Sequence, residues 1–136
     1  MNSERATGYV RPMTGIARFS LVALDCPQPL ELAKFYAAVT GWSLRGEPED
    51  DDDWVQLVSP QGATLAFQLA PDHRPPAWPS DDRPQQLHLD FDVNDLDAGE
   101  AAVLAAGATK AETQPAESFR VYLDPAGHPF CLVRDD

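Results

Sequence analysis

The strongest constraint on this chain is that it reads as two passes through one order of elements. Residues 19–26, Phe-Ser-Leu-Val-Ala-Leu-Asp-Cys, form an apolar, strand-like run. Leu30, Ala33, Tyr36 and Ala37 then recur at three-to-four spacing, with Pro29 in a first-turn position and Thr40-Gly41 as a glycine stop. Residues 42–45 can begin a strand, and residues 54–58 and 64–69 are two more, joined by the turn Ser59-Pro60-Gln61-Gly62. The order starts again at residue 86. Residues 86–93 read as a strand, Asn94-Asp95 opens a helix through Glu100, Val103 and Leu104 to Gly107, and residues 119–123 and 129–133 flank the turn Asp124-Pro125-Ala126-Gly127. Asp25 answers to Asp92, Gly41 to Gly107, and Pro60-x-Gly62 to Pro125-x-Gly127, always in the same order. Repetition on this scale means a duplicated supersecondary unit, so the expected fold is α+β, built from two βαβββ modules.

A chain of 136 residues suits one domain with a real core. The expected organisation is a flexible N-terminal leader over residues 1–15 and a single domain over 16–136. Within it, module one covers 16–70, a proline-rich linker 71–84, and module two 85–136. Pro71, Pro75, Pro76, Pro79 and Pro84 deny the linker regular structure. A net charge of −12 with ten Lys and Arg argues against nucleic acid and anionic membranes as partners, because phosphate binding needs clustered basic side chains. The acidic run at residues 47–53 reads as a solvated loop, since hard-cation loops alternate their ligands around a turn glycine. Nothing resembles a signal peptide or a membrane span, and Cys26 and Cys131 form no CxxC pair. The expectation is a cytoplasmic protein with reduced thiols.

Several segments carry a resemblance. They are Leu24-Asp25-Cys26-Pro27-x-Pro29, Leu32-Ala33-x-Phe35-Tyr36, Gly41-Trp42, Leu65-Ala66-Phe67-Gln68, His88-Leu89-Asp90 and Asp124-Pro125-x-Gly127-His128-Pro129-Phe130. As an ordered set across residues 18–134 they resemble the glyoxalase/bleomycin-resistance/extradiol-dioxygenase (vicinal-oxygen-chelate) superfamily, in its glyoxalase-like actinobacterial branch. The resemblance implies eight strands in two curved sheets, an incomplete barrel around a small-molecule cavity, and a frequent homodimer. It also implies a divalent metal held by His, Glu or Gln side chains from four strands. Here the first place falls on Leu21, which has no lone pair to give, and the second on Ala66 or Gln68, two residues apart on one strand face. The third falls on His88 and the fourth on Cys131. With His88 and Gln68 the only candidate ligands, no metal site of the family's kind and no cofactor is expected.

The remaining candidates come from strand alternation. In residues 86–93, Leu87, Leu89, Phe91 and Val93 share one face and His88, Asp90 and Asp92 the other. His88 beside Asp90 is the candidate catalytic pair, a general base or a donor to a bound carbonyl; the plainer reading is a polar face meeting water. Leu21, Trp54, Gln68, Trp78, Arg120, Tyr122 and Cys131 are the candidate ligand-binding residues. Arg120 and Tyr122 share a face and could hold a carboxylate or a planar ligand, or could be a surface Arg with a half-buried Tyr. Trp78 in the linker either packs back on a sheet or covers a cavity. Cys131 is read as a small buried hydrophobe rather than a nucleophile, His128 as a turn residue capping its own backbone, His73 as exposed, and Phe35 and Tyr36 as facing the sheet. Three functions fit: a lyase or isomerase on a small carbonyl or aromatic metabolite, or a dioxygenase-like relative; a sequestering protein of the bleomycin-binding type, whose acidic charge and Trp42, Trp54 and Trp78 suit a cationic ligand; or a metabolite sensor. Glyoxalase I activity, which needs the full ligand set, is expected to be absent.

Overall fold

The computed structural model describes residues 15–135, so the leader expected over 1–15 lies, but for Gly15, outside the described residues. The first half builds β1 (Val22–Cys26), α1 (Pro29–Thr40), β2 (Ser43–Leu44), β3 (Trp54–Val58) and β4 (Thr64–Leu69). The second builds β5 (Leu89–Val93), α2 (Leu96–Ala106), β6 (Thr109–Lys110), β7 (Phe119–Leu123) and β8 (Pro129–Arg134). Each half folds into its own four-stranded sheet, in the orders β1-β4-β3-β2 and β5-β8-β7-β6. In both, the first strand runs parallel to the last, Val22 opposite Leu65 and Leu89 opposite Phe130. The remaining pairs are antiparallel. Among the described residues no strand pairing joins the two sheets, so the eight strands form no closed barrel.

The helix ends follow local chemistry. Pro29 occupies the first turn of α1, where its missing N–H is no loss, and Gly41 at φ 75 closes the helix with its N–H on the Ala37 carbonyl. Asp95 caps α2 by accepting from the N–H groups of Asp97 and Ala98, a contribution of about 0.5–2 kcal/mol.

Each sheet has a covered face and an open face. Val55, Leu57, Leu65 and Phe67 turn one way from the first sheet, and Tyr122, Phe130 and Leu132 from the second, all into one core with Leu32, Ala33, Phe35 and Tyr36 of α1. Tyr36 stacks on Phe67 at 5.8 Å between ring centroids, and Phe35 meets Phe130 edge-on at 5.7 Å. One helix therefore touches the covered faces of both sheets, which fixes the modules to each other. On the second sheet α2 approaches closely because Gly99 lacks a side chain: a Cβ there would stand 3.1 Å from Leu132 Cδ1.

The linker has no helix or strand but folds back on the second module. Pro75 lies against Gly127, and His73 Nε2 is 2.9 Å from the Ala126 carbonyl, its ring 5.1 Å from that of His128. His73, expected to be exposed, is thus half-buried, because the β7–β8 turn offers it a partner. Among the described residues no helix is long and apolar enough to cross a membrane.

Candidate functional site

On the second sheet, alternation along β5 turns Leu89, Phe91 and Val93 toward the covered side and leaves His88, Asp90 and Asp92 on the open face. The parallel register sets Asp90 beside Cys131 of β8, and Cys131 beside Val121 of β7. His88 Nε2 stands 3.2 Å from Asp90 Oδ1, their side chains 42% and 56% exposed. The ligand atoms of His88, Asp90 and Cys131 all lie within 4.8 Å of one another. Cys131 is buried, and burial, aided by the charge and hydrogen bond of Asp90, pushes its thiol up to about 11. At neutral pH it is a protonated donor, not an attacking thiolate. The arrangement is a histidine steadied by a carboxylate at a surface a ligand can reach, with a sulfur alongside.

The open face of the first sheet is different. Trp54 pairs across to Gln68, and Gln68 to Asp25; Gln56 pairs to Ala66, and Ala66 to Ala23. Gln68 is exposed and Leu21, just before β1, half-buried. Gln56 is 5% exposed, and its Oε1, like Trp54 Nε1, has no hydrogen-bond partner. Such an orphan costs about 1–3 kcal/mol unless water or a ligand meets it. Sequence reasoning missed Gln56. The signal was its even spacing from Trp54 in a strand, which puts both on one face. No hydrogen bond or ion pair among the described residues links Leu21, Trp54 or Gln68 to His88, Asp90 or Cys131. The four-strand metal set that the resemblance implies is incomplete, because Leu21 offers no donor; among the described His, Cys, Asp and Glu side chains, the ones that gather are His88, Asp90 and Cys131.

Arg120 and Tyr122 do share a face, but it is the face α2 covers. Tyr122 donates its hydroxyl to Glu100 Oε1 at 2.9 Å. Arg120 reaches Glu100 at 3.2 Å and Asp97 at 2.9 Å, and Lys110 Nζ lies 3.1 Å from Glu100. Burial and Glu100 hold the Tyr122 phenol above its ordinary value, while Lys110 and its neighbours hold the Glu100 carboxyl below its own. The carboxylate these two residues bind is the protein's own, so they act as a strut between α2 and the β6–β7 edge. Trp78 is half-buried in the linker.

A second polar cluster joins the modules. Tyr36 donates to Asp124 Oδ2 at 2.7 Å, and His128 Nδ1 meets the same oxygen at 2.8 Å. Asp124 Oδ1 accepts from the N–H groups of Ala126 and His128. The turn cap is Asp124, not His128 itself. Burial, then the Asp124 charge, holds the Tyr36 phenol well above its usual value.

The sequence profile of the glyoxalase-like domain matches residues 21–133. Solved structures with this fold include a glyoxalase/bleomycin resistance protein/dioxygenase family enzyme from Burkholderia phytofirmans. It is 18% identical with a TM-score of 0.64, over 85% of this chain and 96% of that one. A glyoxalase/bleomycin resistance protein from Albidiferax ferrireducens is 22% identical with a TM-score of 0.58, over 87% and 98%. A glyoxylase/bleomycin resistance protein/dioxygenase domain from Frankia is 19% identical with a TM-score of 0.61, over 90% and 100%. No curated protein matches. With two βαβββ modules, two four-stranded sheets and a family profile over nearly its whole length, the chain belongs to the glyoxalase-like domain family, within the glyoxalase/bleomycin-resistance/dioxygenase superfamily.

Proposed function

We propose that the chain binds a small carbonyl or aromatic metabolite against the open face of the second sheet and acts on it as a lyase or isomerase. The observation that carries this reading is the His88 Nε2–Asp90 Oδ1 approach of 3.2 Å on an exposed strand face. With Nε2 turned to the carboxylate, Nδ1 of a neutral ring keeps its lone pair for a substrate proton, and Asp90 steadies the imidazolium that results. A second copy of the chain is the proposed partner; Phe19 and Leu87, exposed just before β1 and β5, are apolar area it would cover. Both cysteines are free, which suits a reducing compartment, and we place the protein in the cytoplasm.

The alternative is a protein that sequesters a cationic compound, favoured by the net charge of −12 and by the tryptophan, Trp54, on the open face of the first sheet. A thermal-shift screen of small metabolites, followed by turnover assays on every compound that stabilises the protein, separates the two. Binding retained and turnover lost in His88→Ala supports catalysis. A tight ligand that the parent protein never converts overturns it in favour of sequestration. Turnover of the methylglyoxal hemithioacetal is expected to be absent, with or without added zinc or nickel.

A further inference from the structure

We propose that the cavity where the C-terminal ends of α1 and α2 meet binds a small protonated amine, with its ammonium at Asp92 and the end of α1 and its apolar body against α2. The cavity measures about 360 Å³ and lies on the covered side of the second sheet, against Phe91, Val93 and Leu132. None of His88, Asp90 and Cys131 lines it, so this site is separate from the open-face reaction proposed above and stands without it.

The space exists because small residues stand where the two helices approach each other. Ala38 of α1 and Gly99, Ala102 and Ala106 of α2 leave a gap that larger side chains would fill. Gly99 also lets α2 sit close on Val93 and Leu132, which gives the cavity its floor. Trp42 lines another side. Its backbone N–H donates to Thr40 Oγ1 at 3.0 Å, and that hydroxyl donates to the Tyr36 carbonyl at 2.7 Å, so the chain leaving α1 is held in place. β5 is an edge strand, and a cavity at its margin therefore meets residues of both faces, Phe91 and Val93 from the covered one and Asp92 from the open one. A volume of this size is at the small end for ligand pockets and suits a single ring or a short branched chain.

Charge then selects the ligand. The lining holds one acid, Asp92, and no basic side chain. Asp92 is exposed, and its carboxylate has no hydrogen bond or ion pair among the described residues. Both helices bring their C-terminal ends to the same space, and the final carbonyls of a helix, which have no partner further along, carry partial negative charge. Lysine or arginine ordinarily answers that charge, yet neither helix has a basic residue in its last turn. A net charge of −12 draws cations to the molecule as a whole. An anion would be repelled by the carboxylate and by both helix ends, and a neutral ligand would leave them unanswered. A bare metal ion would find one carboxylate and an apolar wall, too few oxygens to hold it, so the cation is an organic one. Trp42 adds an aromatic ring to which an ammonium is drawn.

The test titrates the full chain with phenethylammonium and isopentylammonium chloride by calorimetry. Phenethyl alcohol keeps the body and drops the charge, and ethylammonium keeps the charge and drops the body. The proposal expects saturable binding of one equivalent of at least one of the two amines, with both controls weaker by about tenfold or more. Asp92→Asn should weaken binding about three- to fivefold, the upper range for an exposed ion pair. Ala102→Leu should abolish it, because the larger side chain occupies the gap, and Ala102 is itself exposed, so the core is left alone. Should Ala102→Leu fail to fold, Asp92→Asn and the two control compounds carry the test. No saturable binding of either amine overturns the site, as does equal binding of phenethyl alcohol, or affinity unchanged in both variants. Binding lost in Trp54→Phe but kept in Ala102→Leu would put the amine on the open face of the first sheet, sinking the cavity and favouring the sequestering alternative.

Discussion

At the scale of single residues, the energetics concentrate on the few polar groups that the core has to accommodate. Tyr36 is fully buried and gives its hydroxyl to Asp124, a side chain that also serves His128 and two backbone N–H groups. Tyr36→Phe removes one donor and leaves a buried carboxylate oxygen short of a partner, so unfolding free energy in denaturant should fall by about 1–3 kcal/mol. The pH dependence has a definite sign. The folded phenol resists ionising more than the unfolded one, so its contribution is complete below about pH 10 and drains away as pH rises further. Stability measured against pH should show a shallower alkaline limb in Tyr36→Phe than in the parent. It should not vanish, because burial raises Cys26 from 9.0 to about 11 and adds to the same limb. His88 and Asp90 were legible as a pair, because residues two apart in a strand must share a face. That Cys131 joins them was not legible in its local sequence, and only the resemblance, which sets His88 and Cys131 at two places of one site, implied it. The β5–β8 register puts it there, and nothing local to Cys131 encodes which strand lies alongside.

At the scale of elements, α2 depends on one carboxylate for its hold on the sheet edge. Glu100 meets Lys110 of β6 and both Arg120 and Tyr122 of β7. Glu100→Gln should lower stability by about 1 kcal/mol, since these partners are partly solvated and the pairs are screened. The folded carboxyl titrates below the unfolded one, so this contribution is present above about pH 4 and is lost as pH falls through the folded value. The variant should therefore lose less stability than the parent between neutral and acid pH, which unfolding curves at both ends would measure. Alternation established that Arg120 and Tyr122 share a face but could not say which face, because the answer belongs to the helix that covers it. β6 escaped the sequence for a simpler reason: two residues, Thr109 and Lys110, are too short to show a period.

At the scale of the whole molecule, the two modules are held by α1 and by the linker's return to the β7–β8 turn. Gly127 is the tightest point of that return. Its φ is 92, and a Cβ would meet Pro75 Cβ at 2.5 Å. Gly127→Ala should cost roughly 1–3 kcal/mol from backbone strain alone. It should also loosen the docked segment, visible as a lower melting temperature and faster proteolytic cleavage within residues 76–84. The duplicated order of elements was readable from the start because glycine stops and Pro-x-Gly turns punctuate both copies. The docking was not, since a proline-rich segment has no periodicity from which its contacts can be read.

In both sheets the strand made first pairs with the strand made last, Val22 with Leu65 and Leu89 with Phe130. On a ribosome, β1 therefore waits unpaired until β4 emerges, and neither module can close early. A chain made of near-twins runs a particular hazard during that wait, because β1 could take β8 in place of β4 and fuse the copies wrongly. Vectorial synthesis guards against it. The segment over residues 70–88 separates the end of β4 from the start of β5, so the first module has its own partner in hand before the rival strand exists.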